Sequence, residues 1–335
     1  MDYDFETLNK KRAGNSAKWD VGQNELPMTI ADMDFKTAPE IIQALQDKIS
    51  MGLFGYEEIP DEYRKAVADW YETEHHVRPH EDWMVFATGV VPSISSAVRR
   101  LTSLGDNVLV QAPVYNVFYN SIVNNGRHVV SNDLVYDQAN HQYSINFDDL
   151  EKKMSDPLTN MMILCNPHNP VGKIWTVDEL TKIAALSLKD DVKLFSDEIH
   201  GDVTFNEKGY NPVFGLEEKY LKNVIVAVSP SKTFNVAALH ASTVIVPDAN
   251  LRAQVSRSLN SEELAEPNLV AVPGTIAAYT KGHEWLQQLK QKVLENRKLV
   301  LDFLAENVPD IKWVRAMPHT YFGSMFLRLQ KTLMN

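Results

Sequence analysis

Residues 223–247 read NVIVAVSPSKTFNVAALHASTVIVP, and this stretch decides the fold. NVIVAVS (223–229) is apolar without alternation, as a strand must be when helices cover both faces of its sheet. STVIVP (242–247) has the same character. Between them, where the first strand ends, stands Lys232, among small and hydroxyl residues that offer its charge no ion-pair partner. A lysine in that setting is suited to imine chemistry, because only the deprotonated amine attacks a carbonyl.

Working outward, further runs of the same kind alternate with longer helical patterns: WMVFAT (83–88), NVLVQA (107–112), MMILCN (161–166) and VKLFSD (192–197). This alternation predicts an α/β chain with a mostly parallel sheet. Thr37 to Glu40 and Thr176 to Glu179 have capping-box spacing, and Pro39 suits a first helical position. The apolar series Ile41, Ile42, Leu45 and Ile49 predicts an amphipathic helix. HEWLQQLKQKVLENRKLVLDFLAEN (283–307) keeps a helical pattern for about seven turns, and TYFGSMFLRLQ (320–330) reads as a final strand.

The 335 residues are enough for roughly two domains, yet no Gly/Ser-rich or Pro-rich linker marks a boundary, so a second domain has to be built from the two chain ends. The expected division is 1–45, an N-terminal segment and part of a small domain; 46–274, the large domain; and 275–335, a joining helix with the rest of the small domain. The 33 basic and 44 acidic side chains leave a net charge of -11, which argues against nucleic acid or an anionic membrane as partner. The start carries no apolar signal core, and a cytoplasmic location is expected. The single cysteine, Cys165, forms no internal disulfide and is expected to be a buried structural thiol.

Ligands of open parallel sheets bind beyond the carboxyl ends of the strands. Four predicted strands deliver polar groups there: WMVFAT runs into Gly89-Val90-Val91-Pro92-Ser93, MMILCN into PHNPVG, VKLFSD into EIHGD and NVIVAVS into PSK. A glycine turn opening a helix presents N–H groups to a phosphate. Neither GxGxxG nor GxxxxGK[ST] is present, which argues against dinucleotides and nucleoside triphosphates. A phosphate site, a lysine and a strand-terminal aspartate together suit pyridoxal 5'-phosphate. DEIHGD (Asp197, Glu198, His200, Asp202) and HHVRPH (His75, His76, His80) lack a complete zinc ligand set. No metal is expected, and the histidine cluster reads as a solvated helix end.

In order along the chain, APVYNVFY, NPHNPVG, DEIHGD and SPSKTFN resemble fold-type I pyridoxal-phosphate enzymes. ADMDF, GLFGY and GVVPS narrow the resemblance to the PatB/MalY-type cystathionine β-lyases, the carbon–sulfur lyases of the aminotransferase superfamily. The resemblance implies a three-layer α/β/α large domain and a smaller α/β domain, with Lys232 as the catalytic lysine that holds the cofactor. Asp197 would pair the pyridine nitrogen and Asn169 the phenolic oxygen, with His200 nearby; Tyr115 would stack on the ring. Ser229, the N–H groups of Val90 and Val91 after Gly89, and His240 would bind the phosphate. Tyr56 would reach the phosphate of a neighbouring subunit, implying a homodimer with shared sites.

Three departures stand out. Thr29-Ile30 precedes ADMDF where the family commonly has tryptophan, and Ala238 stands at a common glycine position. Relatives continue past the strand matching 320–330 into small-domain structure with an arginine for the substrate carboxylate; Arg328 matches a different arginine, so the small domain is expected to be incomplete. The implied activity is carbon–sulfur β-elimination on cystathionine or related cysteine S-conjugates. The alternatives are an aminotransferase and a weakly catalytic, regulatory cofactor-binding protein.

Overall fold

The computed structural model describes residues 2–7, 9, 14–205 and 209–308. The strand expected at 320–330 and Arg328 lie outside them. All six other predicted strands are present, as β1 (Met84–Ala87), β2 (Asn107–Val110), β6 (Thr159–Cys165), β7 (Lys193–Asp197), β8 (Val224–Val228) and β9 (Ser242–Ile245). They join one unanticipated edge strand, β3 (His128–Ser131), in a seven-stranded sheet of order β1-β9-β8-β7-β6-β2-β3. A small hairpin of β4 (Val135–Asp137) and β5 (Gln142–Ser144) stands apart. The sheet is parallel except for β9, which runs antiparallel to both neighbours.

Side chains alternate across a strand, and β6 shows the result. Met161, Ile163 and Cys165 join a core with Val90, Ile94 and Val98 of α3 (Val90–Leu101), Phe118 and Ile122 of α4 (Val117–Val123), and Leu251 and Val255 of α8 (Ala249–Ser261). Met162 and Leu164 face the opposite core, with Tyr63, Trp70 and Tyr71 of α2 (Asp61–His75), Leu180 and Ile183 of α6 (Val177–Lys189), and Ala277 and Ala278 of α9 (Ala271–Lys281). With helices on both faces the sheet is the middle of three layers, so its strands are continuous apolar runs.

The capping box at Thr176 and Glu179 forms as predicted and opens α6. The one at Thr37 does not. There α1 (Pro39–Ser50) starts after Ala38, with Pro39 in its first turn; Thr37 Oγ1 is buried without a hydrogen-bond partner among the described residues, and Glu40 Oε1 accepts from Tyr3 OH at 3.0 Å. The long helix α10 spans His283–Asn307, as its apolar pattern requires. The N-terminal segment lies on it: Tyr3 N donates to Gln288 Oε1 at 3.0 Å, and Phe5 packs on Trp285 with ring centroids 5.5 Å apart. Among the described residues no helix is long and apolar enough to cross a membrane.

Candidate active site

Register places the site. Cys165 at the end of β6 lies opposite Asp197 at the end of β7, and Asp197 lies opposite Ala227, one residue short of the end of β8. Reversed β9 begins at the same edge, with Ser242 opposite Ala87, two residues before Gly89. Strand spacing of about 4.8 Å puts the β1 and β7 ends roughly 14 Å apart. The edge is stitched by side chains: Ser229 Oγ donates to Ala241 O at 2.7 Å, and Ser242 Oγ to Ala87 O at 3.1 Å.

Lys232 sits in a one-turn helix, α7 (Pro230–Thr233), capped by Ser229, whose Oγ accepts from Ser231 N. Burial lowers the pKa of its amine, while the charges of Asp32 and Asp197 act the other way. Its Nζ donates to Ala31 O at 2.8 Å. The segment 31–35 is fastened to the same turn by Asn235, whose Nδ2 donates to Met33 O (3.0 Å) and Phe35 O (2.8 Å) and whose Oδ1 accepts from Met33 N at 3.1 Å. Lys18 Nζ holds the segment from the other side through Asp32 O at 2.7 Å.

Asp197 is 5% exposed. Burial pushes its pKa up to about 6, although the Ile199 N–H and the charge of Lys232 favour its ionised form. Tyr115, 38% exposed, feels the same carboxylate: burial raises its pKa, and the charges of Asp197 and Cys165 add to the effect. His200 is buried and pushed down to about 3, by desolvation and then by the charge of Lys232, so its ring stays neutral at physiological pH. The charge of Lys232 thus reaches Asp197 and His200, and that of Asp197 reaches Tyr115. The Asn169 N–H donates to Cys165 Sγ at 3.3 Å, tying the NPHNP loop to the end of β6. His168, buried and pushed down to about 4, ties that loop to Pro113 O at 3.0 Å, just before Tyr115. Burial raises the Cys165 thiol, as expected of a structural cysteine.

Gly89 precedes α3, so the N–H groups of Val90 and Val91 occupy its first turn, where a helix has no internal acceptors. Tyr56 and His240 are both solvent-exposed. Tyr56 is 98% exposed, in a loop with exposed Leu53 and Phe54; His240 is exposed and left-handed, with φ 50°. The expectation of a solvated histidine cluster fails at His75. Its side chain is buried and its Nε2 lies 2.7 Å from Asp202 Oδ1, a partner 127 residues away that local sequence does not reveal. Sequence reasoning also missed Ala31 and Asn235; the ADMDF and SKTFN motifs that carry them were the available signal. Among the described residues no group of three His, Cys, Asp or Glu is arranged to hold a metal ion.

These residues fit pyridoxal 5'-phosphate. A carboxylate that burial holds above its ordinary range, despite the charge of Lys232, gains from the further positive charge of a protonated ring nitrogen. A desolvated amine stands within its field, and a helix start opens at the same edge.

The sequence matches the family described as aminotransferase class I and II over residues 23–332. It is 37% identical over 317 residues to cystathionine β-lyase PatB of Bacillus subtilis, covering 93% of this chain and 81% of the relative. To the protein MalY of Escherichia coli it is 30% identical over 334 residues, covering 97% and 84%. The fold superposes on cystalysin from Treponema denticola, a structure containing a pyridoxal 5'-phosphate cofactor, with a TM-score of 0.88 and 32% identity, covering 93% of this chain and 81% of that one. With the family matched over residues 23–332 and the two lyase-type relatives over nearly the whole sequence, the chain belongs to the class I and II aminotransferase family, in the branch of the PatB/MalY-type cystathionine β-lyases.

Proposed function

We propose that the chain is a pyridoxal 5'-phosphate-dependent carbon–sulfur β-lyase, cleaving cystathionine or a related cysteine S-conjugate with water to a thiol, pyruvate and ammonia. The observation that carries this reading is the desolvated Lys232 amine within the field of buried Asp197 at one sheet edge, in a chain 37% identical to a cystathionine β-lyase. Bound there, the cofactor supplies an electron sink for negative charge at the substrate Cα.

The remaining work falls to the protein. Lys232 would be the residue that holds the cofactor covalently. Its amine, with a pKa lowered by burial, would serve as the general base for the Cα proton. Asp197 would keep the ring nitrogen protonated, Asn169 would address the phenolic oxygen with neutral His200 nearby, and Tyr115 would restrain the ring face. Ser229, His240 and the N–H groups of Val90 and Val91 after Gly89 hold the phosphate. The segment 31–35, clasped by Asn235, limits access of water to the amine. A homodimer in which Tyr56 completes the partner's phosphate site belongs to the same reading, supported by the exposed apolar loop that carries it. So do a cytoplasmic location and a division of the chain near residues 45 and 274.

The test is incubation of the purified, cofactor-loaded protein with cystathionine and no keto acid. Pyruvate and a free thiol are expected. Strict dependence on a keto acid identifies an aminotransferase instead, and bound cofactor without turnover of any amino acid identifies a binding protein. Borohydride reduction and peptide mapping place the adduct on Lys232, and Lys232→Ala abolishes it; an adduct on another lysine refutes the assignment.

A further inference from the structure

Asp202 lies on the loop that follows β7, five residues beyond Asp197, and is 3% exposed. Its two carboxylate oxygens gather groups from two other elements. Oδ1 accepts from Trp70 Nε1 at 2.9 Å and lies 2.7 Å from His75 Nε2, both on α2; Oδ2 accepts from Thr233 Oγ1 at 2.6 Å, on α7. Thr233 is wholly buried, as is Trp70 apart from 3% of its surface. A buried charge is tolerated only when it is paired and hydrogen-bonded, and this one has three side-chain partners. Burial alone drives its pKa up, but the bonds from His75, Thr233 and Trp70 outweigh burial and keep it below the ordinary aspartate range.

Thr233 is the residue next to Lys232. The turn that carries both is four residues long, too short for its own hydrogen bonds to fix its orientation. Successive side chains on a helical turn point about 100° apart, so anchoring Thr233 fixes the rotation of the turn and with it the direction in which Lys232 leaves it. Because the anchor sits on the loop that leaves β7 at Asp197, the amine and the carboxylate are held in one frame. We propose that Asp202 is a positioning residue, which through Thr233 Oγ1 orients Lys232 toward the cofactor and sets its reach relative to Asp197. Trp70 and His75 hold Asp202 in turn, so α2 takes part in aiming the lysine through this carboxylate. This inference deepens the cofactor reading above and rests on it.

The experiment compares Thr233→Val, Thr233→Ser, Asp202→Asn and the Thr233→Val/Asp202→Asn pair. Urea midpoints of the cofactor-free proteins establish that each is folded. The readouts are the rate at which cofactor-free protein takes up pyridoxal 5'-phosphate, followed by visible absorbance, and kcat and KM for cystathionine. A lysine misplaced by about 1 Å loses on the order of 100-fold in rate. The expected result for Thr233→Val is therefore a roughly 10- to 100-fold fall in kcat with KM little changed, and an uptake rate lowered about tenfold. Thr233→Ser, which keeps the hydroxyl, stays within about threefold of wild type, and the double variant is no worse than the poorer single one, since both break one link. Wild-type uptake and kcat in Thr233→Val overturn the proposal, as does equal loss in Thr233→Ser. If Asp202→Asn fails to fold, the contrast between Val and Ser at position 233 decides alone. A wild-type protein that takes up no cofactor refutes the functional reading itself, an outcome distinct from these.

Discussion

Asp197→Asn separates what the carboxylate costs the folded chain from what it gives the cofactor. Burial moves its pKa from 3.8 up to about 6. Between those values the native state binds more protons than the unfolded chain, so the stability of the cofactor-free protein falls as pH rises through that window and levels off above about pH 7. Two pKa units at about 1.4 kcal/mol each make the full deficit about 3 kcal/mol. An amide does not ionise, and its oxygen can still accept the Ile199 N–H that Oδ1 now accepts at 3.1 Å. Urea unfolding of the cofactor-free wild type and variant at pH 4 and pH 7.5, read by tryptophan fluorescence, measures the difference. The stability of the variant relative to wild type should grow by about 2–3 kcal/mol between the two values. Glu198, raised to about 7 by burial despite four hydrogen-bond donors, and His200 titrate in both proteins and cancel in the comparison. Cofactor affinity should move the opposite way, falling in the variant because the ring nitrogen loses its counter-ion. A stability difference that is flat with pH, or that shrinks as pH rises, refutes the reasoning.

Phe234, wholly buried two residues after Lys232, packs among Trp70, Tyr279 and Trp285 at centroid distances of 5.3–6.4 Å for the ring pairs in this group. Phe234→Ala should cost about 3–5 kcal/mol by urea unfolding; a loss below about 1 kcal/mol would mean that this aromatic group does not hold the turn in place. Sedimentation of the intact protein should give a dimer, and Tyr56→Phe should weaken cofactor affinity several-fold without changing that state. A monomer that binds the cofactor with wild-type affinity after Tyr56→Phe removes the shared-site reading.

Strands buried on both faces announce themselves as unbroken apolar runs, and β1, β2, β6, β7, β8 and β9 were legible for that reason. The edge strand β3 and the β4–β5 hairpin were not, because their side chains are only partly buried or exposed. The reversal of β9 left no mark, since a strand buried on both faces reads alike in either direction. At the site, Lys232 and Asp197 were readable as polar groups ending apolar runs. The Ala31 carbonyl that receives the lysine was not, for a main-chain acceptor has no residue type. His75 was misjudged because its buried environment comes from Asp202 and Tyr210, more than a hundred residues downstream. Thr37 had the spacing of a cap but lost the role when the helix began two residues later.

Because β9 turns back beside β8, the thirteen residues from Ser229 to Ala241 leave and re-enter the sheet at a single rim instead of travelling around to the far side. The lysine is therefore mounted on a short bracket bolted to neighbouring strands at both feet, and every residue added to or removed from that bracket changes how far the amine extends. Length variation should be scarce here and plentiful in the surface connections that merely carry the chain from one layer to the next.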